Sequence, residues 1–207
     1  MAGRPAEKRA AVVQGARTVF GRDGFTRAGV DAIAKEAGVS TRTIYNHFPQ
    51  GKAELFRLIV EEGTEQIVRA QLEVIDRWLH RIRDLEADLV DFGVAWAEPL
   101  TAYPDHFAVV RQMRAEIAHL PDGLRETWEA GPARVHQALA DRFGALAEEG
   151  WLRPGDPGRT ARHFLHLVGG EIIDRTYYGA FPLPRPETEQ LVAEGVHTFL
   201  HGCLPRD

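Results

Sequence analysis

The chain has 207 residues, 44% of them hydrophobic and 27% charged, with a formal net charge of −5. This composition fits a folded domain with a core of ordinary size and excludes an intrinsically disordered chain. No run approaches the roughly 18 apolar residues of a membrane span, the opening MAGRPAEKRAAVVQ lacks the apolar stretch of a signal peptide, and the single cysteine, Cys203, cannot close an intramolecular disulfide. A cytoplasmic protein without a membrane partner is expected. The charge is uneven: residues 1–57 hold ten Lys and Arg against five Asp and Glu, whereas the remainder holds 15 basic and 25 acidic side chains. A basic end on an acidic body points to a polyanion met by the first quarter of the chain alone.

Helical spacing of apolar residues dominates, and no run alternates as a strand does. The first helix is expected from Ala6 to Arg22, with Val12, Ala16, Val19 and Phe20 on one face and Gly24 as its stop. The second spans Val30 to Ala37, burying Val30, Ile33, Ala34 and Ala37. Gly38 follows where a left-handed residue ends a helix, and Ser40 suits the N-cap of a third. Phe48-Pro49-Gln50-Gly51 breaks the chain again before a long helix from Lys52 to Leu79. Further helices are expected at Leu85–Trp96, Pro104–His119, Leu124–Glu149, Pro157–Gly179 and Pro186–Cys203. The expectation is an all-α fold. An N-terminal three-helix bundle with a helix-turn-helix (residues 1–57) precedes a larger antiparallel helical domain (residues 58–207).

The third helix reads TRTIYNH and is unusual for a surface helix. Ile44 and Phe48, four residues apart, are its only apolar anchors, with Val39 packing from the turn. The rest of its surface is Thr41, Arg42, Thr43, Tyr45, Asn46 and His47. Two short helices joined by a Gly-containing turn form a helix-turn-helix when the second can enter a major groove. Arg pairs bidentately with guanine, Asn with adenine, and Thr touches a thymine methyl. Tyr, His and the nearby Lys52 suit phosphate oxygens. The same residues also fit an αα-hairpin with a merely polar face.

From Val12 to Leu55 the chain resembles the DNA-binding domain of the TetR family of bacterial transcriptional regulators, through the runs VVQGARTVFGRDGF, VDAIAKEAGVSTRTIYNHF and KAELF. The resemblance implies that Thr41, Arg42, Thr43, Tyr45, Asn46, His47 and Lys52 face double-stranded operator DNA. Two departures stand out. Members usually start the second helix with Thr or Ser, where this chain has Ala28 and Gly29, leaving backbone N–H groups with Arg27 as a substitute. The connection Phe48-Pro49-Gln50-Gly51-Lys52 is also one residue longer than the commonest form.

Farther on, WEAGPARVHQAL and GWLRPGDPGRTARHFLHLVGGEI resemble the AefR-like subgroup of TetR C-terminal domains. The resemblance implies a homodimer built on the last two long helices and an apolar cavity for a small-molecule effector. On those helices Leu167, Gly169, Gly170, Ile173, Val196 and Leu200 are the interface candidates. Gly169-Gly170 in mid-helix costs roughly 1 kcal/mol per Gly relative to Ala, so close approach by a partner helix would account for it. Phe92, Trp96, Phe107, Met113, Trp128, Phe143, Phe164 and Tyr177 are the candidates for a cavity lining, although aromatics at helical spacing equally build an ordinary core.

No catalytic residues, cofactor or metal are expected. His163 and His166, or His197 and His201 with Cys203 just beyond, are spaced to share a metal, but no carboxylate at a matching step completes either set. No phosphate loop and no GxSxG nucleophile turn is present. The function that the resemblance implies is a sequence-specific DNA-binding regulator, a repressor released from its operator by a small apolar effector. The alternative is a helical small-molecule or metal-binding protein without operator binding.

Overall fold

The computed structural model describes residues 5–120 and 122–202, so Cys203 lies outside the described residues. These residues form helices α1 (Pro5–Arg27), α2 (Val30–Glu36), α3 (Thr41–His47), α4 (Lys52–Leu79), α5 (Leu85–Ala97), α6 (Pro99–Ala102), α7 (Pro104–Ala115), α8 (Leu124–Glu148), α9 (Pro157–Thr176) and α10 (Arg185–His201). A 3₁₀ turn, Ile117–His119, follows α7. No strand occurs among the described residues.

The helix boundaries follow the capping chemistry. Gly24 is non-helical (φ 78°, ψ 179°) and breaks α1 where a stop is expected, but one further turn continues to Arg27. Gly38 adopts φ +64°, the left-handed conformation that ends α2. Ser40 Oγ accepts the Thr43 N–H at 3.2 Å and so starts α3. Asp84 and Asp156 cap α5 and α9 in the same way, through the N–H groups of Ala87 and Arg159. Helix α9 stops three residues before the expected Gly179. Tyr177 and Tyr178 take positive φ, and the Tyr178 N–H returns to Ile173 O at 3.0 Å, closing the helix at Thr176.

The chain forms two compact units, residues 1–66 with 103–129, and residues 67–102 with 130–207. The expected helix-turn-helix segment lies wholly in the first. That unit packs α1, α2, α3, the first half of α4 and α7 around Val12, Val19, Phe20, Ile33, Ile44, Phe48, Leu55, Phe56, Ile59, Val109 and Met113, all at most 2% exposed. Phe20, Phe25 and Phe56 form an aromatic trio, with Phe20 edge-on to Phe56 at 4.9 Å. His106 of α7 is buried beside Gly63, where any Cβ would lie 2.4 Å from its Nδ1. Burial, with the Arg17 charge adding to it, lowers the His106 pKa to about 4, so the ring is neutral at pH 7.

The second unit is built on α5, α9 and α10, closed by the later parts of α4 and α8. Phe164 sits at its centre, fully buried and in ring contact with Phe92, Phe143 and Phe199 at 5.7, 5.3 and 5.1 Å. Helices α9 and α10 cross closely at Gly195, where a Cβ would lie 2.4 Å from the Leu167 carbonyl oxygen, so only glycine fits. The guanidinium of Arg142 donates to the Leu79 carbonyl at the end of α4 and pairs with Glu149 at 2.9 Å.

Candidate nucleic-acid interface

Helix α3 divides its surface as its sequence requires. Ile44 (0% exposed) and Phe48 (2%) anchor one side in the core, and the partly buried Val39 packs beneath the turn. Arg42, Tyr45 and Asn46 are exposed, Tyr45 at 50%, while Thr41, Thr43 and His47 are half-buried at the margin. The Thr43 hydroxyl lies 2.9 Å from Ser40 Oγ, so part of its hydrogen-bonding capacity serves the cap. Tyr45 lies over the backbone at Gly51, where a Cβ would come within 3.1 Å of the ring. An exposed row with a guanidinium, a phenol and a carboxamide on an anchored helix is the donor and acceptor set that reads base edges and phosphates.

At the start of α2, Gly29 takes an extended conformation and provides no side-chain cap. The cap position thus offers no side chain to the first N–H groups of α2, and exposed Arg27 stands two residues earlier. Space is not the reason for the missing hydroxyl, since a Cβ on Gly29 would meet nothing within 4 Å.

Lys52 departs from its expected role. Its ammonium donates to the carbonyls of Phe25 (2.9 Å), Thr26 (3.3 Å) and Ala28 (3.0 Å) and lies 4.6 Å from the Phe25 ring centroid. All three N–H donors are engaged within the protein, leaving none directed at a phosphate. From the opposite side Glu116, at the end of α7, accepts the N–H groups of Phe25 (2.8 Å) and Thr26 (3.0 Å). A cation on the carbonyls and an anion on the amides together fix the elbow from which α2 and α3 depart. Sequence reading missed Glu116, because nothing in a pattern signals a carboxylate 91 residues away. Lys52→Met should therefore lower stability by about 1.5–3 kcal/mol, the range for hydrogen bonds to a charged group. Urea denaturation checks this; unchanged stability with weakened DNA binding would return Lys52 to the phosphate.

In the second unit a cleft of about 240 Å³ is lined by Val94, Ala97, Leu100, Ile172 and Leu183, with Glu98, Thr101, Thr176, Arg185 and Thr188 as polar groups. None of the eight expected cavity residues is among these. Phe92, Phe143 and Phe164 join the aromatic core, with half-buried Trp96 against Phe92 at 5.4 Å. Met113, Phe107 and Trp128 belong to the first unit. Tyr177 is 67% exposed against Phe181.

Of the interface candidates, Leu167 is 42% exposed, and a Cβ at Gly169 or Gly170 would meet no atom within 4 Å, so the described residues leave that stretch of α9 uncovered. Ile173 and Leu200 are half-buried. Val196 is 0% exposed, held in the core of its own unit because α10 crosses α9 at the adjacent Gly195, and it offers no surface to a partner.

The fold and this helix pair define an all-α DNA-binding protein of the helix-turn-helix class. Residues 12–59 match the bacterial regulatory proteins of the tetR family, and residues 87–202 match the AefR-like transcriptional repressor C-terminal domain. The chain belongs to the TetR family and is a DNA-binding transcriptional regulator. It is 25% identical over 180 residues to the HTH-type transcriptional repressor Rv1474c of Mycobacterium tuberculosis, covering 86% of each chain. It superposes on the flavonoid-responsive regulator FrrA with a TM-score of 0.67 at 29% identity, over 98% of this chain and 100% of that one. The regulator FadR of Bacillus subtilis, solved in complex with stearoyl-CoA, shares the fold with a TM-score of 0.69 at 16% identity, over 95% of this chain and 100% of that one.

Proposed function

We propose that the protein is a homodimeric repressor that a small effector releases from its operator. Residues 1–57 form the DNA-binding domain, and residues 58–207 bind effector and partner. The exposed row Arg42, Tyr45 and Asn46 on α3, opposite buried Ile44 and Phe48, carries this reading. Two such helices would enter successive major grooves about 34–36 Å apart. The uncovered stretch of α9 at Leu167, Gly169 and Gly170 supports pairing through that helix. Effector bound in the other unit favours a conformer with the wrong groove spacing, so effector and operator weaken each other equally.

The cleft suits a small effector with an apolar body and one polar end, and its volume falls below the ~300–1,000 Å³ of sites for drug-sized ligands. FrrA responds to flavonoids and FadR is seen with stearoyl-CoA. Similar folds thus accept unlike ligands, and the lining of this cleft selects its own. The test is fluorescence anisotropy on DNA from upstream of the protein's own gene, titrated over salt beside unrelated DNA. Selective binding that falls steeply with salt is expected, because phosphate contacts release counterions. Equal, salt-insensitive binding to both DNAs would overturn the operator reading.

A further inference from the structure

His197 and His201 stand one turn apart on the last turns of α10, their ring centroids 4.6 Å from each other. Sequence spacing supplies these two donors, with Cys203 just beyond, and no carboxylate. The fold supplies it: Glu86, in the first turn of α5 and 111 residues before His197, places Oε1 3.2 Å from His197 Nδ1 and Oε2 3.4 Å from His201 Nε2. One ligand atom from each residue lies within 4.8 Å of the other two.

We propose that Glu86, His197 and His201 form a binding site for a divalent metal ion of the zinc class. Metal–ligand distances of roughly 2.0–2.2 Å in a tetrahedral site put neighbouring ligand atoms about 3.3–3.6 Å apart. The two carboxylate-to-imidazole separations lie near that edge but run from different oxygens of Glu86, and with one donor atom from each residue the trio spans up to 4.8 Å, so rotation of these exposed side chains draws the three donors in to close on an ion. Two neutral imidazoles and a carboxylate suit zinc and the late first-row ions rather than magnesium or calcium, which favour all-oxygen sites. All three side chains are exposed, so the ion has free entry and keeps a water as fourth ligand. Bound metal would tie the start of α5 to the end of α10, cross-linking two helices of the second unit that meet at Gly93 and Val192. Nothing in this proposal depends on operator binding.

Untagged full-length protein, stripped with EDTA, is titrated with ZnCl₂ by isothermal titration calorimetry and melted with and without zinc. One ion per chain is expected, with a Tm rise of roughly 5–10 °C at a hundredfold excess over Kd. Glu86→Gln and His201→Ala should each weaken binding at least tenfold while leaving the zinc-free Tm unchanged, as befits exposed side chains. Cys203→Ser should bind as the wild type does. Absence of saturable binding, binding untouched by Glu86→Gln and His201→Ala, or binding abolished by Cys203→Ser alone would overturn the site.

Discussion

Alanine at Arg42 or Tyr45 is expected to lower operator affinity by roughly 5- to 150-fold per lost contact, corresponding to about 1–3 kcal/mol, without altering the melting temperature. The separation of the two effects follows from α3. Both side chains lie outside the core, Tyr45 half exposed, so truncation opens no cavity and strands no buried polar group. Ile44→Ala is the contrasting variant: it removes a fully buried anchor and should cost stability first and DNA binding in consequence. Anisotropy titrations beside thermal melts distinguish the cases. Unchanged affinity in both Arg42→Ala and Tyr45→Ala would remove α3 from the interface.

Phe164→Ala should be among the most destabilising single changes in the second unit, costing about 3–5 kcal/mol and lowering Tm by roughly 6–20 °C. Its ring is fully buried, and it touches three other aromatic rings within 5.1 to 5.7 Å. Removing it leaves a cavity that rigid helices pinned at Gly195 cannot collapse to fill. A Phe164 lining an effector site would behave otherwise, since part of its surface would already face open space. Near-wild-type stability with an altered effector response would move Phe164 from the core to the ligand wall.

These two residues mark how far patterns alone reach. Tyr45 was legible because three local signals coincide: the left-handed Gly38, the Ser40 cap, and anchors at a four-residue step. Each acts within a few residues, where chain geometry leaves little choice. Phe164 was legible as an apolar residue, but not as core or cavity, because a helix face records burial and not what lies opposite. The partners of Lys52 escaped the sequence for a related reason. Its place at the start of α4 is local information, whereas the carbonyls of Phe25, Thr26 and Ala28 that engage it lie 24 to 27 residues back. Val196 was assigned to an outer face because periodicity could not show that α10 presses its Gly195 against Leu167.

The amino-acid sequence by itself determined the helical class, the helix-turn-helix and the Gly38 and Ser40 signals that shape its turn, since all of these are set by interactions between near neighbours. Only the tertiary structure decided which groups meet across long separations: Glu116 on the amides of Phe25 and Thr26, Glu86 between two histidines of α10, and Val94, Ile172 and Leu183 around one cleft. The physical reason is common to all three. A carboxylate or an apolar side chain carries no mark of its partner in its own segment, and the helix crossings that bring partners together depend on packing summed over the whole chain.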